Sequence, residues 1–278
     1  MNPTILITGA SSGIGRATAA LFASKGWNVI AGMRNTNDGE ALKTTSHILI
    51  VELDVTSLET IQTAINLGIE KFGKIDTLLN NAGYAQYGIF ESISDKKIRQ
   101  QFEINLFGSM NVTRALLPHM RKQRQGTIIN VSSGSGRFSV PLMSAYNASK
   151  FALEGFSESL AYELASQNIR VKIIEPGKTS SNFQERLVEN YTGLNPPKDY
   201  GDYVEELESI MKKLNEGTSQ NSSTPNEIAE VIYLAANDRN DTLRYVFGSD
   251  ITPIIQLRTE ASEQEYIDFM KNLFSKKT

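Results

Sequence analysis

The sequence predicts an α/β fold in which a doubly wound parallel sheet carries helices on both faces. Short apolar runs alternate with segments of helical periodicity through the first 180 residues. The runs are apolar at nearly every position, which is typical of parallel strands buried on both faces. The chain is 278 residues long and 40% hydrophobic, so it has enough apolar side chains for one large core.

The element boundaries follow from this alternation. Predicted strands span 4–8, 28–33, 47–53, 76–80, 126–132 and 170–176, with a last strand near 244–248. Predicted helices lie near 13–25, 57–72, 95–122 and 144–167. Because helices separate most of the strands, consecutive strands can run parallel. Their carboxyl ends then meet at one edge of the sheet, where folds of this kind bind ligands.

Several helix ends carry their own signals. Thr56 and Glu59 have the spacing of a capping box and predict a helix start there. The run Thr224-Pro225-Asn226-Glu227 combines an N-cap, a proline and a glutamate three residues on, and predicts a helix before the last strand. The segment SEQEYIDFMKNLFSKK (262–277) predicts a final amphipathic helix.

The alternation breaks after Pro176. Residues 179–224 contain a short helical pattern, a Pro-Pro turn, a charged amphipathic stretch and a polar tract. Long connections of this kind inside one domain are usually functional. We therefore expect a single domain over 1–278 with an insertion at about 179–224 that closes over a substrate. A surface insertion without such a role is the alternative.

Composition excludes several classes of function. The net charge of −3 argues against a general nucleic-acid or anionic-membrane binder. The chain has no cysteine, and its two histidines, His47 and His119, are far apart, so we expect no metal site and no Ser-His-Asp triad. No apolar run reaches the roughly 18 residues of a membrane span. A strand begins after three residues, which leaves no room for a signal peptide, so a cytoplasmic location is expected.

The stretch TGASSGIG (8–15) joins the first strand to the first helix. Its glycines, Gly9, Gly13 and Gly15, are spaced G-x-x-x-G-x-G. Glycine permits a tight turn and a close approach of backbone, and the helix N-terminus offers free N–H groups to a pyrophosphate. The stretch therefore predicts a nucleotide site. A small-residue turn needed only for strand–helix packing is the alternative.

The end of the second strand bears on the choice of nucleotide. A site for NAD(H) usually places an acidic residue there, whereas this chain has Met33 and Arg34. An arginine suits a ribose 2′-phosphate through charge-assisted hydrogen bonds, with Ser12 as a second candidate donor. We expect NADP(H) to be preferred, with NAD(H) as the alternative cofactor. Arg34 as a solvated loop cation is the competing interpretation.

Tyr146 and Lys150 are spaced four residues apart on a predicted helix, so they share one face. A phenol with its ordinary pKa near 10 is a weak acid–base catalyst at neutral pH. A neighbouring ammonium group favours the phenolate and lowers that pKa. Two serines, Ser132 and Ser133, end the strand just before this helix. A surface tyrosine beside a solvated lysine is the alternative, unless further polar groups converge here.

Together with these residues, the segments LDVT, NNAG, NVSSGSG, YNASK and EPG resemble the short-chain dehydrogenase/reductase family in order and spacing. The resemblance covers about residues 3–180 strongly and 225–250 weakly. It implies a Rossmann-type fold and a single NAD(P)-binding domain. The EPG segment and the LRYVFGSD-like end are similar to the retinol and hydroxysteroid dehydrogenase branch, which weakly favours an apolar or bulky substrate.

The resemblance also implies roles for individual residues. Tyr146 would be the general acid in reduction and the base in oxidation, and Lys150 would lower its pKa and bind the nicotinamide ribose. Ser133, rather than Ser132, would hydrogen-bond the substrate carbonyl. Asn105 would position a water that links Lys150 to solvent, and the alternative, a structural asparagine that distorts its helix, is compatible with this role. The implied cofactor contacts are Gly9, Ser11, Ser12, Gly13, Ile14, Gly15, Arg34, Asp54, Val55, Asn81, Ala82, Gly83, Tyr146, Lys150, Pro176, Gly177 and Thr179.

The chain departs from the family pattern after EPG, where PGKTSS replaces the usual P-G-x-V-x-T, and this affects the expected geometry near the nicotinamide.

The predicted function is an NADP(H)-dependent oxidoreductase that interconverts a carbonyl and an alcohol. Two alternatives are a dinucleotide-sensing regulator without turnover and an NAD-retaining epimerase or dehydratase. The first would lack Ser, Tyr or Lys, and the second usually has G-x-x-G-x-x-G. Family members also imply a homodimer or homotetramer through helices 95–122 and 144–167.

Overall fold

Seven parallel strands form one sheet in the order β3-β2-β1-β4-β5-β6-β7. This is a computed structural model that describes residues 2–43, 45, 47–180, 197–218 and 222–275. The strand order reverses between β1 and β4, so the predicted doubly wound α/β fold is confirmed. The strands are β1 Thr4–Thr8, β2 Asn28–Met33, β3 Ile48–Glu52, β4 Thr77–Asn80, β5 Gly126–Val131, β6 Ile169–Pro176 and β7 Arg244–Phe247.

Helices cover both faces of this sheet. In the described ranges they are α1 Gly13–Ser24, α2 Leu58–Phe72, α3 Asp95–Phe102, α4 Gly108–Gln123, α5 Ser144–Ala165, α6 Gly201–Thr218, α7 Pro225–Asn237, α8 Thr252–Glu260 and α9 Glu263–Leu273. The predicted ends of the first, second and fourth helices agree with α1, α2 and α5 within two residues. Among the described residues, no helix is long and apolar enough to cross a membrane.

The two faces of the sheet bury separate apolar clusters because neighbouring strand residues point in opposite directions. Along β1, Ile5 and Ile7 pack in the cluster that contains α1 and α7, where Phe22 is fully buried. Leu6 lies between them and packs in the other cluster, with residues of α2, α4 and α5. Burial on both faces explains why the strands are apolar throughout.

The predicted single helix over 95–122 is wrong. It is divided into α3 and α4 by one π-helical turn, Glu103–Phe107. The interruption has a side-chain cause, since Asn105 is buried in this turn and bonds the backbone of Tyr84 through both its oxygen and its nitrogen. Such π-helical turns are frequent at functional sites. A hydrophobic pattern alone gave no sign of it.

One of the predicted helix caps is also wrong. The N-cap of α2 is Ser57, whose hydroxyl accepts from the backbone N–H of Thr60, and not Thr56. Thr56 instead donates its N–H and its hydroxyl to Asp54 Oδ1, at 2.8 and 2.7 Å. The capping box at Thr224 and Glu227 is confirmed, with both reciprocal bonds present.

The region 179–224 is described only in part. A short parallel bridge joins Thr179 to Ser223 just beyond β6. The predicted amphipathic stretch forms α6, which packs Val204 and Leu207 against Ile89 and Leu142. The short helical pattern expected at 182–191 lies outside the described residues. Helix α9 confirms the predicted amphipathic helix near the C-terminus.

Gly15 has no room for a side chain. A Cβ there would lie 2.3 Å from the carbonyl oxygen of Gly9 and 2.6 Å from Asn81 Nδ2. We expect Gly15→Ala to lower the free energy of unfolding by about 1–3 kcal/mol, because α1 must move away from the sheet. Urea denaturation followed by circular dichroism measures this loss.

The matched control is Gly155→Ala, on the exposed side of α5, where a Cβ meets nothing within 4 Å. Alanine has the higher helix propensity, so this variant is expected to be unchanged or about 0.5–1 kcal/mol more stable. Equal stability of the two variants would contradict the close packing of the first turn.

Candidate active site

Most of the residues predicted to form a site lie in the turns and loops that follow strands at one edge of the sheet. Because the strands are parallel, their carboxyl ends share that edge. The turns after β1, β3 and β4 carry the glycines, Asp54 with Val55, and the segment Asn81–Gly83. The same edge receives Arg34 after β2, Ser133 after β5 and Gly177 after β6. The structure therefore brings the predicted set together.

The turn after β1 leaves the N-terminus of α1 open to a ligand. Gly9 and Gly13 have φ values of +69° and +53°, which glycine adopts without strain. The N-cap residue Ser12 makes no side-chain cap, and the first turn holds no acidic residue. By contrast, Ser57 caps α2 and a glutamate follows it. A helix end with this arrangement fits an anion such as the pyrophosphate of a dinucleotide.

Thr8 is a structural residue of this site that the sequence analysis missed. Its hydroxyl accepts from the backbone N–H groups of Asn81 and Ala82, at 3.0 Å each. Asn81 returns two hydrogen bonds from Nδ2, to the carbonyl oxygens of Thr8 and Gly9. The turns after β1 and β4 are thus fastened to each other. The signal that could have identified Thr8 is a polar residue that ends an apolar strand directly before a glycine.

The residues after β2 and β3 differ in exposure. Arg34 is exposed, directly after the buried Met33. Asp54 accepts two hydrogen bonds from Thr56, which hold the turn before α2. Val55 is buried, and it contacts the start of α4 so closely that a Cβ at Gly108 would lie 2.5 Å from its Cγ2. Arg34 is therefore the residue of this group with a charge free to face a ligand.

Asn105 anchors the turn after β4. Its Oδ1 accepts from the Tyr84 N–H at 3.1 Å, and its Nδ2 donates to the Tyr84 carbonyl at 2.9 Å. Nδ2 also donates to Ser149 Oγ at 3.2 Å, and Ser149 donates to the carbonyl oxygen of Tyr146. Asn105 is thereby connected to the tyrosine helix through one serine.

Tyr146 lies in the first turn of α5 and is 6% exposed. Its hydroxyl is hydrogen-bonded to the side chain of Ser133. Ser133 Oγ also accepts from the N–H of Ser135 at 3.1 Å, which fixes its orientation. Ser132 Oγ is buried and has no partner among the described residues, so the geometry favours Ser133 as the serine beside the phenol.

Burial raises the pKa of Tyr146 to about 12, and the hydrogen bond from Ser133 offsets only part of this effect. The direction is opposite to the one expected from Lys150. In the protein without cofactor, the loss of water around the phenol is the largest influence on its pKa. The phenol is accordingly neutral and able to donate its proton across the physiological pH range.

Lys150 is buried one turn further along α5. Its Nζ donates to the carbonyl oxygen of Val131 at 2.8 Å and lies 5.8 Å from the centre of the Tyr146 ring. Burial lowers the pKa of Lys150 to about 8, and the charge of Glu154 acts in the opposite direction. The lysine is thus a donor whose charge is held in place by a strand carbonyl and supported by one carboxylate.

A partly buried group of charges lies behind these residues, and the sequence analysis missed it. Arg244 contacts Glu154 at 3.1 Å, Glu175 at 3.3 Å and Glu158 at 2.6 Å. Arg137 contacts Glu175 at 3.1 Å from the turn after Ser133. Burial, followed by the charge of Glu154, raises the pKa of Glu175 to about 7, while Arg137 lowers it. The two arginines compensate most of this negative charge.

The loop after β6 completes the edge. Gly177 donates its N–H to the carbonyl oxygen of Phe247 on the neighbouring strand at 2.8 Å. Thr179 Oγ1 donates to the carbonyl oxygen of Gly177 at 3.2 Å. Pro176 is the last residue of β6 and is buried.

Among the described residues, no group of three or more His, Cys, Asp or Glu could hold a metal ion. His119 accepts from the Ile75 N–H, a structural contact.

This arrangement suits a dinucleotide-dependent proton and hydride exchange. The open end of α1 fits a pyrophosphate, and the buried phenol of Tyr146, the half-buried hydroxyl of Ser133 and the buried ammonium group of Lys150 lie together after β5. A phenol and a serine hydroxyl directed at the same place can hold and protonate a developing alkoxide.

Known proteins with similar sequences are oxidoreductases. The model of the short chain dehydrogenase family matches residues 3–192. An uncharacterized oxidoreductase, YusZ of Bacillus subtilis, is 37% identical over 93% of this chain and 94% of its own length. Retinol dehydrogenase 8 of Bos taurus is 33% identical over 92% of this chain and 84% of its own.

Solved structures agree with these relatives. A short-chain dehydrogenase from Streptomyces avermitilis has a TM-score of 0.81 and 32% identity, over 98% of this chain and 97% of that chain. ElxO with NADP bound has a TM-score of 0.72 and 26% identity, over 88% and 98%. The extent of these matches, together with the site geometry, shows that the chain belongs to the short chain dehydrogenase family of NAD(P)-dependent oxidoreductases, which act on CH–OH and C=O groups.

Proposed function

We propose that this enzyme reduces the carbonyl group of a small molecule to an alcohol with NADPH, or catalyses the reverse reaction. The observation that carries the proposal is the buried Tyr146 phenol, hydrogen-bonded to Ser133 and followed one turn later by Lys150. These are the three side chains that an exchange of hydride and proton at a carbonyl requires of the protein in this family.

Each side chain has one task in this mechanism. When bound, the cofactor supplies the hydride at its nicotinamide ring. Ser133 donates a hydrogen bond to the substrate oxygen and orients it. Tyr146 gives its phenolic proton to that oxygen as negative charge develops on it, and takes a proton back in the oxidative direction. The neutral phenol of the protein alone is the form required for reduction.

Lys150 and Asn105 support the tyrosine. The Lys150 ammonium is a donor for the nicotinamide ribose hydroxyls, and its charge favours the phenolate that remains after proton transfer. We assign to Asn105 the placement of a water between Lys150 and solvent. Its side chain already holds the turn at Tyr84 and contacts Ser149, so this role and a structural one coexist.

The cofactor is proposed to be NADP(H), with NAD(H) as the alternative. Arg34 is exposed after β2, where its guanidinium can bind a 2′-phosphate, with Ser12 as a second donor. ElxO, at 26% identity, binds NADP. The pyrophosphate would lie on the turn Gly9–Gly15, with Asp54 and Val55 beside the adenine. The loop Pro176–Thr179 would hold the carboxamide group of the nicotinamide. Asn81, Ala82 and Gly83 would contact a ribose of the cofactor, between the adenine and the nicotinamide.

The substrate is proposed to carry an apolar portion. A cleft of about 380 Å³ lies beside the N-terminal end of α5, two residues before Tyr146. Leu142, Ile89 and Phe90 line it on one side, and Tyr200 and Tyr203 line it from the segment that begins α6. This lining supports an apolar ligand, and Tyr200 and Tyr203 support the assignment of the insertion at about 179–224 as its cover for the part that the structure describes. Retinol dehydrogenase 8 is a relative whose name indicates a substrate of this kind.

We propose further that the enzyme is a homodimer or homotetramer. Phe107 and Phe151 expose 45% and 39% of their surface on the π-helical turn and on α5. Aromatic side chains on the surface of these helices support the expected association through them.

Removal of the Tyr146 hydroxyl tests the reaction. We expect Tyr146→Phe to lower kcat for NADPH oxidation by about 100-fold or more, because the proton donor is lost. The rate of NADPH oxidation is measured from the loss of NADPH absorbance, with a panel of aldehydes and ketones as substrates. Tyr162→Phe, at an exposed position of the same helix, is the control and is expected to match the wild type. Full activity of the Tyr146 variant would contradict the mechanism.

The charge of Arg34 tests the cofactor. We expect Arg34→Glu to raise the Kd for NADPH by about tenfold or more, because a charge-assisted contact becomes a repulsion. The Kd for NADH is expected to stay the same or fall, which serves as the internal control. Both constants follow from the quenching of the fluorescence of Trp27 or from calorimetry. An unchanged Kd for NADPH would show that Arg34 is a solvated loop cation that does not contact the cofactor.

The pKa of Lys150 predicts a pH limit. Below its pKa of about 8 the ammonium form is present, and above it the donor charge is lost. We therefore expect kcat/KM for NADPH, which reports the cofactor-free enzyme, to fall as pH rises through about 8. Glu154→Gln removes the charge that raises this pKa, so the fall should move to lower pH. Glu158→Gln, which also contacts Arg244 but is exposed, is the control. Identical profiles for both variants would refute the assignment.

A further inference from the structure

The turn Gly248–Thr252, between β7 and α8, contacts both loops that carry the reactive end of the site. We call it the β7–α8 turn. The carbonyl oxygen of Gly248 accepts from the N–H and the hydroxyl of Thr252, at 3.1 and 2.8 Å, so the turn is closed by its own hydrogen bonds. It lies beyond the residues 3–192 that the family model matches.

Asp250 is the contact to the loop after β6. Its Oδ2 accepts from the backbone N–H of Lys178 at 2.8 Å. Lys178 lies between Gly177 and Thr179, two of the residues assigned to the nicotinamide carboxamide. Gly177 donates its N–H to the carbonyl oxygen of Phe247, the last residue of β7. The loop is therefore held at two consecutive residues, at Gly177 by β7 and at Lys178 by Asp250.

The other carboxylate oxygen packs against glycines. Asp250 Oδ1 is buried and has no hydrogen-bond partner among the described residues. A Cβ at Gly177 would lie 2.1 Å from it, and a Cβ at Gly248 would lie 2.5 Å from it. Gly248 also has a φ of +141°, which requires glycine. The carboxylate therefore fills a space that exists only because both positions lack a side chain.

Ile251, the next residue, is the contact to the loop after β5. It packs in a buried cluster with Phe138, and a Cβ at Gly134 would lie 2.8 Å from its Cγ2. Gly134 follows Ser133 directly. One rigid turn thus contacts, through adjacent side chains, the loop of the substrate-binding serine and the loop that faces the nicotinamide.

From this geometry we propose that Asp250 is a positioning residue, which holds the Gly177–Thr179 loop at a set distance from Ser133 for the nicotinamide end of the cofactor. The inference rests on the proposed function, since it assigns this loop to the carboxamide. Asp250 touches neither substrate nor cofactor and acts through the Lys178 N–H. The adenosine half of the site, on β1 to β4, is independent of it.

Two ligands that share the adenosine half separate positioning from folding. NADP⁺ contains the nicotinamide, and 2′-phospho-ADP-ribose lacks it. For Asp250→Ala we expect the Kd of NADP⁺ to rise about tenfold or more, because a charge-assisted hydrogen bond to the loop is lost. The Kd of 2′-phospho-ADP-ribose should stay within about twofold. Calorimetry measures both, and circular dichroism confirms that the variant is folded.

Two further variants and the wild type complete the comparison. Asp250→Asn keeps an oxygen acceptor for the Lys178 N–H and should restore most of the NADP⁺ affinity. Asp241→Ala, at an exposed acidic residue before β7, should leave both constants unchanged. A parallel loss of affinity for both ligands in Asp250→Asn and Asp250→Ala, or no loss for either ligand, would overturn the proposal. Wild type that binds neither ligand would instead refute the proposed cofactor.

Hydrogen exchange on the wild type tests the same contact without a substitution. We expect the Lys178 amide to be protected in the cofactor-free enzyme, because it already donates to Asp250. NADP⁺ should slow exchange in the peptide that spans Gly177–Ser180, and 2′-phospho-ADP-ribose should not. Rapid exchange at Lys178 in the free enzyme, or equal protection by the two ligands, would contradict the assignment.

Discussion

The close packing of the turn after β1 against the turn after β4 is the constraint on which the rest of the site depends. These are the two strands where the strand order reverses, so their turns must diverge to opposite faces of the sheet. Thr8 and Asn81 hold them together with four hydrogen bonds of 2.9 to 3.2 Å. Gly9 and Gly15 permit this approach, and the helix end that results has its N–H groups directed outward. A helix N-terminus that fits a phosphate group is a direct consequence of this packing.

The state of Tyr146 shows which of two opposed effects dominates in the protein alone. Burial favours the neutral phenol, and a nearby ammonium favours the phenolate. Burial is the largest influence on the pKa of Tyr146, and the neutral phenol prevails. Lys150 is itself buried, and burial lowers its pKa to about 8. The same burial therefore gives a proton donor at Tyr146 and makes Lys150 dependent on Glu154 and on the carbonyl of Val131.

The sheet and the principal helices were predictable because each has a local signal, and the candidate reactive residues were predictable because their motifs resemble those of one family. Apolar runs located all seven strands, and the spacing of Tyr146 and Lys150 located one helix face. The missed features are contacts between distant parts of the chain. Thr8 and Asn81 are 73 residues apart, and Lys178 and Asp250 are 72 apart. The π-helical turn at Asn105 arises from a bond to Tyr84, which a helical pattern does not encode.

The division of contacts along the chain also suggests how such a site can keep its chemistry while its substrate changes. The turns after β1 to β4 are held by bonds among themselves, chiefly those of Thr8, Asn81 and Asn105. The loops after β5 and β6 are held from the C-terminal side, by Ile251, Asp250 and the arginine of β7. Helix α6 packs with Ile89 and Leu142, and none of its described residues lies in the two large clusters that hold α1 and α2. We therefore expect α6 to vary with the substrate more readily than α7, which packs against α1. Under this proposal the geometry at the nicotinamide depends on whether the β7–α8 turn stays rigid. Gly248 with its φ of +141°, the close approach to Gly177 and the buried carboxylate of Asp250 make the turn rigid.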